Sequence, residues 1–131
     1  MLDLDHFKQV NDHYGHPVGD RVLAALSNLL RKKLRQSDTM GRYGGEEFAV
    51  LLEDLQEDEA VRLVSRLLEE FGRITHAVPG SGQFRVTFSA GVAMLGPDMD
   101  LEAWRQAADQ ALYAAKAAGR NRVVPASTLQ S

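Results

Sequence analysis

The sequence predicts an α+β chain, an α/β sandwich around a central, mostly antiparallel sheet that includes one β-hairpin. Three observations carry this. Apolar residues recur at helical spacing over three long stretches, and short strand-like runs lie between them. One pair of those runs is joined by Gly44-Gly45. Two glycines between candidate strands signal a hairpin, because both turn positions take positive φ without steric cost. Helices and strands that interleave in this way pack as layers on a mixed or antiparallel sheet.

Met1-Leu2-Asp3-Leu4-Asp5 alternates apolar and acidic residues, the pattern of a strand end. Phe7 to His13 fits one or two helical turns that end near Gly15. Pro17 to Lys33 reads as a helix with Val18, Val22, Leu26, Leu29 and Leu30 on one face and proline suited to its first turn. Thr39 to Tyr43 and Glu47 to Leu52 form the hairpin. Asp58 to Phe71 is an amphipathic helix with Val61, Val64, Leu67, Leu68 and Phe71 on its stripe. Pro79 to Gly82 reads as a loop, and Phe84 to Leu95 as one long strand with Val86, Phe88, Ala90, Val92 and Met94 on one face. Leu101 to Ala118 is an alanine-rich helix stopped by Gly119, and Asn121 to Val124 a short last strand. Met1 already stands at the acidic cluster, so the first strand is expected to be cut short.

The 131 residues suffice for one domain with a real core. Hydrophobic residues make up 44% and charged residues 25%, as in ordinary globular proteins. A net charge of -3 gives no reason to expect DNA or RNA as partners. With no cysteine there is no disulfide framework, thiol catalysis or thiolate metal site, and the reducing cytoplasm suits the chain. No long apolar run, signal peptide or lipidation motif is present, so no membrane contact is expected of this chain.

Chemistry gathers in four places. Asp3 and Asp5 share a strand face with the Leu4 carbonyl between them, and hard cations such as Mg2+ take carboxylate and carbonyl oxygens. If the hairpin lies beside the first strand, Glu46 completes the cage with Asp3; a solvated strand end is the plain alternative. The adjacent Glu46 and Glu47 should face opposite sides of their strand. Lys8 offers a compact charge for a phosphate, and Asn11 with Asp20 suits the polar edge of guanine. The same residues also serve as helix caps and first-turn acids. Lys116, Arg120 and Arg122 cluster at a helix C-terminus, where cations are favoured with or without a phosphate to bind. For Phe7, Phe88 and Tyr113 core packing is the plain alternative, and it is the expected one for the last two.

These residues carry a family resemblance. Asp3 to Asp12, Gly15-His16-Pro17-Val18-Gly19-Asp20, Arg42-Tyr43-Gly44-Gly45-Glu46-Glu47-Phe48, Phe88 to Ala93, Ala108-Asp109, Ala111 to Lys116 and Gly119-Arg120-Asn121 run in the same order as in the GGDEF domain of diguanylate cyclases. The chain resembles that family over nearly its whole length, in a variant with Glu46 as the third signature residue. The resemblance implies a fold akin to ferredoxin and the polymerase palm. It implies condensation of two GTP molecules to cyclic di-GMP and pyrophosphate, with Mg2+ (or Mn2+), across a homodimer in which each domain holds one GTP.

Carried over position by position, the resemblance makes Asp3, the Leu4 carbonyl and Glu46 metal ligands. Glu46, Glu47 and Lys8 become the catalytic set. Phe7, Lys8, Asn11, His16, Asp20, Gly44, Gly45, Lys116 and Arg120 become substrate contacts, with Asn11 and Asp20 on guanine and Lys116 and Arg120 on terminal phosphates. Arg35-Gln36-Ser37-Asp38 stands at the spacing of the family's inhibitory Arg-x-x-Asp motif, and Arg66 matches an arginine that joins it. A helix-ending arginine beside a loop aspartate is the ordinary alternative.

The resemblance further implies an upstream sensor or receiver domain in a parent protein. It makes residues 1–131 one domain that lacks the family's N-terminal helix and the start of its first strand. An exposed apolar face, weak or absent activity, altered self-association and cyclic di-GMP in the active site itself are the expectations that follow. The competing class is a non-catalytic module that binds GTP or cyclic di-GMP and signals by conformation.

Overall fold

In the computed structural model, which describes residues 1–80 and 82–129, the chain folds as β1 (Leu2–Leu4), α1 (Phe7–Tyr14), α2 (His16–Lys33), β2 (Thr39–Arg42), β3 (Glu47–Leu51), α3 (Glu57–Arg73), β4 (His76–Val78), β5 (Gly82–Phe84), β6 (Phe88–Val92), α4 (Leu101–Ala117) and β7 (Val123–Pro125). A short 3-10 helix, Ala126–Leu129, follows β7. The main sheet has the order β2-β3-β1-β6-β7, antiparallel throughout except for the parallel pair β6 and β7. The three-residue β1 is therefore the central strand.

Strand alternation divides the labour of the two faces. Leu2, Leu4, Phe48, Phe88 and Ala90 stand in register on one face and pack with Phe7 and Val10 of α1, Val22, Leu26 and Leu30 of α2, and Val64, Leu67 and Phe71 of α3. Phe71 and Phe88 are fully buried with ring centroids 6.0 Å apart, each burial stabilising the fold by roughly 2–3 kcal/mol. The opposite face carries Asp3, Glu47, Ser89 and Gly91 in register and is covered by α4 through Ala108, Ala111, Leu112 and Ala115.

Local chemistry sets the helix ends. Gln56 and Glu59 form a reciprocal capping box on α3, and the Asp100 carboxylate accepts from the Ala103 N–H at 2.8 Å to open α4. The predicted strand 84–95 is in fact two. Chain reversal at Gly80, which has φ +77, lets β4 and β5 pair as a separate two-stranded sheet, and the chain enters the main sheet only at Phe88. Ser81 of the predicted loop lies outside the described residues. On α3, Ala60 rather than Val61 is buried in the first turns. Phe88 is core as expected, whereas Tyr113 is 74% exposed, because α4 turns that side away from the sheet.

Two further features frame the site. The Met1 N and O both pair with Gly91, at 3.0 and 2.8 Å, adding one step to the β1–β6 ladder. Beyond it, β3 and β6 border a cavity of about 970 Å³ lined also by α3 and α4, including Val50, Leu52, Val92 and Trp104. Tyr43, Leu51, Met94, Leu95 and Leu101, all exposed, also line it. No helix among the described residues is long and apolar enough to cross a membrane.

Asp5 joins the layers. It is 4% exposed; its Oδ1 accepts from the Ser89 hydroxyl at 2.6 Å, and its Oδ2 accepts from the Thr87 hydroxyl at 2.7 Å and the Asn121 N–H at 3.0 Å. Asp5→Ala leaves one buried donor, the Ser89 hydroxyl, and two partly buried donors without their acceptor and is expected to cost about 3 kcal/mol, read as a lower midpoint in urea unfolding.

Candidate active site

The β2–β3 loop, residues 43–46, carries the signature glycines. The Tyr43 and Gly44 N–H groups both donate to the Glu47 carbonyl, at 2.8 and 3.4 Å, so the reversal takes four residues rather than two. Neither Gly44 nor Gly45 has positive φ, against the expectation of a two-glycine turn. Their smallness leaves open space instead: a Cβ at Gly45 would meet nothing within 4 Å. Arg42 fixes the loop, its guanidinium donating to the Gly45 carbonyl at 3.0 and 2.6 Å and to the Gly44 carbonyl at 3.3 Å. Nothing in the sequence except its place in the signature run marked Arg42 for this.

Register decides which acid meets the first strand. Glu47 is the cross-strand partner of Asp3, so it shares the face of Asp3, while Glu46 approaches through its backbone carbonyl, which accepts from the Leu4 N–H at 3.2 Å. Asp5, in the turn just after that strand, is committed to structure. Asp3 has one carboxylate oxygen bonded to the Lys116 ammonium; the other, Oδ1, is buried without a hydrogen-bond partner. Burial pushes the Asp3 carboxyl above its ordinary range, the Lys116 hydrogen bond and charge pull it back, Asp5 raises it and Arg120 lowers it. Burial likewise raises Glu47, helped by Asp3 and Asp109 and opposed by Lys116. Asp109, given no role by the sequence, belongs to this field. Among the described residues no three acidic or histidine side chains form a metal cluster. Hard cations at phosphate sites use one or two carboxylates, and an orphaned buried carboxylate oxygen beside a backbone turn fits that chemistry.

The end of α4 brings the cations. The Arg120 N–H donates to the Ala115 carbonyl at 3.0 Å and the Gly119 N–H to the Lys116 carbonyl at 3.3 Å, with Gly119 at φ +120. This is a Schellman stop, and it fixes the Cα positions of Lys116 and Arg120. Arg120 and Asn121 follow at φ 65 and 51, left-handed non-glycine residues held by the Asn121–Asp5 bond.

On the opposite face, α1 and α2 meet at Gly15, and Gly19 is the close contact. A Cβ there would stand 1.8 Å from Asn11 Oδ1 and 3.2 Å from the Phe7 ring. Asn11 Oδ1 is buried without a partner, Phe7 is core, and His16 and Asp20 are exposed on the first turns of α2. Lys8 is exposed and paired with Asp12 at 2.9 Å, a hydrogen bond that raises its pKa. The predicted contacts thus fall into two groups: Asp3, Glu47, Lys116 and Arg120 together, and Phe7, Asn11, Gly19 and Asp20 together.

A separate cluster lies at the far end of α2. Arg35 Nε and Nη2 donate to the two Asp38 oxygens at 3.1 and 2.9 Å, and the Arg35 and Glu53 N–H groups donate at 2.9 and 3.3 Å. Burial pushes the Asp38 carboxyl up, but the Arg35 bond, the two N–H groups and the Arg35 charge hold it below its ordinary value. Arg35 and Arg66 line one cleft of about 250 Å³ together with Lys33 and Arg62. Asp38 is bonded to Arg35 but does not line the cleft.

A five-stranded sheet with antiparallel central strands, helices on both faces and acids at a hairpin define a palm-like α/β domain. The family model "Diguanylate cyclase, GGDEF domain" matches residues 1–122, and the chain belongs to the GGDEF family. It is 44% identical over 123 residues to the probable diguanylate cyclase DgcC of Escherichia coli K12, covering 93% of this chain and 33% of that protein. The chain thus spans about a third of that relative's length. The GGDEF domain of DgcB from Caulobacter crescentus, solved in complex with c-di-GMP, superposes with TM-score 0.92 at 31% identity, over 96% of this chain and 75% of that one. The active GGEEF domain of a diguanylate cyclase from Vibrio cholerae superposes with TM-score 0.87 at 34% identity, over 95% and 78%.

Two outcomes test this geometry. Gly19→Ala gains roughly 0.5–1 kcal/mol of helix propensity but drives a Cβ into the buried Asn11 amide and against the Phe7 ring, an overpacking cost of about 1–3 kcal/mol; its melting temperature is expected to fall and the Asn11 side-chain NMR signals to shift. Glu47, with its folded pKa raised, contributes stability below the ordinary carboxylate pKa and loses it as pH rises through the raised value. Glu47→Gln keeps the neutral form, so it melts above the parent at pH 7, and the gap closes as pH falls to about 4.

Proposed function

We propose that this chain is a diguanylate cyclase catalytic domain that joins two GTP molecules into cyclic di-GMP across a two-fold pair of domains. The observation that carries the reading is the Gly-Gly-Glu-Glu loop docked on Asp3, with an unpartnered carboxylate oxygen and the Lys116 and Arg120 cations at one place. The 3′-hydroxyl of each GTP attacks the α-phosphate of the other; a new P–O bond forms, the bond to the β-phosphate oxygen breaks, and pyrophosphate leaves. A symmetric product follows from two identical half-sites facing each other.

Mg2+ (or Mn2+) held by Asp3, the Leu4 carbonyl and Glu46 supplies charge neutralisation at the phosphates when bound. Glu47, made more basic by burial and by its acidic neighbours, takes the 3′-hydroxyl proton. Gly44 and Gly45 leave room for phosphate oxygens against backbone. Lys116, Arg120 and Lys8 carry the phosphate charge, Lys8 by leaving its exposed pair with Asp12. Asn11 and Asp20 read the guanine edge, with His16 beside them and Phe7 supporting Asn11 from the core. The Arg35, Arg66, Lys33 and Arg62 cleft suits the paired phosphates of the product, and Arg35 would turn from Asp38 to hold it. Product bound there keeps two domains from closing.

Incubated with GTP and Mg2+, a chain extended upstream is expected to yield cyclic di-GMP and pyrophosphate on anion-exchange chromatography, and residues 1–131 alone to yield less or none. The rate should rise with the square of protein concentration, and Glu47→Gln should lower it about 100-fold or more. Arg35→Ala with Arg66→Ala should retain turnover and lose inhibition by added product. No cyclic product from the longer chain overturns the assignment.

A further inference from the structure

We propose that Lys116 is a resident counter-ion of Asp3 that holds off divalent cations until a polyphosphate arrives, so that cation and nucleotide load cooperatively. The inference rests on Asp3 as a cation ligand.

The Asp3 side chain is 7% exposed and has one charged partner, the Lys116 ammonium on one oxygen, while the second oxygen faces no donor. A dication on the free oxygen would stand within a few ångströms of that ammonium, sharing one carboxylate with it. The repulsion between them subtracts directly from cation affinity. A triphosphate removes the conflict, because its negative oxygens take up the ammonium and the dication at once.

Lys116 is built for such an exchange. The Schellman stop pins its Cα, but its side chain is 32% exposed and its four-carbon stem is free to turn outward from Asp3. Arg120, which also acts on Asp3, makes no hydrogen bond to it and remains beside the phosphates when Lys116 moves. The coupling is reciprocal: whatever the cation gains from nucleotide, nucleotide gains from the cation.

Titration with Mn2+ alone, followed by the electron paramagnetic resonance signal of free Mn2+, tests this without turnover. Lys116→Met and Lys116→Gln, checked for an unchanged melting transition, are expected to bind Mn2+ roughly tenfold more tightly than the parent. Asp3→Asn in the Lys116→Met background should abolish the gain. Lysine variants that bind no more tightly than the parent, while Asp3→Asn still removes binding, overturn the proposal and leave Asp3 as a ligand. Binding indifferent to Asp3→Asn overturns the Asp3 reading itself, and the proposal with it. Independently, the Lys116 ε-ammonium NMR signal should shift on addition of GTP with Mg2+ and stay in place with Mg2+ alone; a signal that GTP leaves unmoved overturns the exchange.

Discussion

The buried carboxylate of Asp5 is the constraint on which the architecture depends. It links β1, the residue preceding β6, β6 itself and the turn after α4 through three donors, all converging on one side chain. A charge so placed is tolerable only because both oxygens are occupied. Its presence holds a three-residue central strand between two longer ones, and it stabilises the left-handed pair Arg120-Asn121 that ends the α4 turn. Fold and site therefore share a fastening: the residue that secures β1 also sets where the phosphate-facing cations begin.

Two residues away, Asp3 is the opposite case. It faces Glu47 across the ladder, borders Asp109 in the field of Glu47, and has one oxygen left without a donor. Acids gathered at such cost are uneconomical for folding and useful for a ligand that brings positive charge. The strand β1 and the turn that follows it thus carry one aspartate satisfied by neutral donors and another that is not, and that division separates structure from chemistry.

Much of this was legible in the residues. The apolar stripes of α2, α3 and α4 and the two arms of the β2–β3 hairpin have the periodicities of their elements, because burial on one face selects them. The signature runs mark Asp3, Glu47, Lys116 and Arg120 as site candidates, but they pair Asp3 with Glu46 rather than with Glu47. The path from Ile74 to Phe88 was not: His76-Ala77-Val78 is too short to signal a strand, and one apolar alternation hides a chain that changes sheets. The positive φ assumed for Gly44 and Gly45 failed because Arg42 and the Tyr43 and Gly44 N–H groups support a wider loop, a contact visible only in three dimensions. Register across β1 and β3, which selects Glu47 to face Asp3, has no local signature, and the fit of Asn11 over Gly19 is a contact between helices. Tyr113 was misplaced for a simpler reason: an aromatic residue in an alanine-rich helix invites a core assignment that the direction of its face does not support.

The cavity between β3 and β6 has a practical consequence for anyone following the folding of this chain. Apolar dyes that brighten in nonpolar surroundings are commonly used to report loosened, partly folded states. An opening of about 970 Å³ lined by Val50, Leu52, Val92 and Trp104 would host such a dye in the native state. Fluorescence enhancement would then accompany correct packing, and would be lost on unfolding rather than gained at an intermediate.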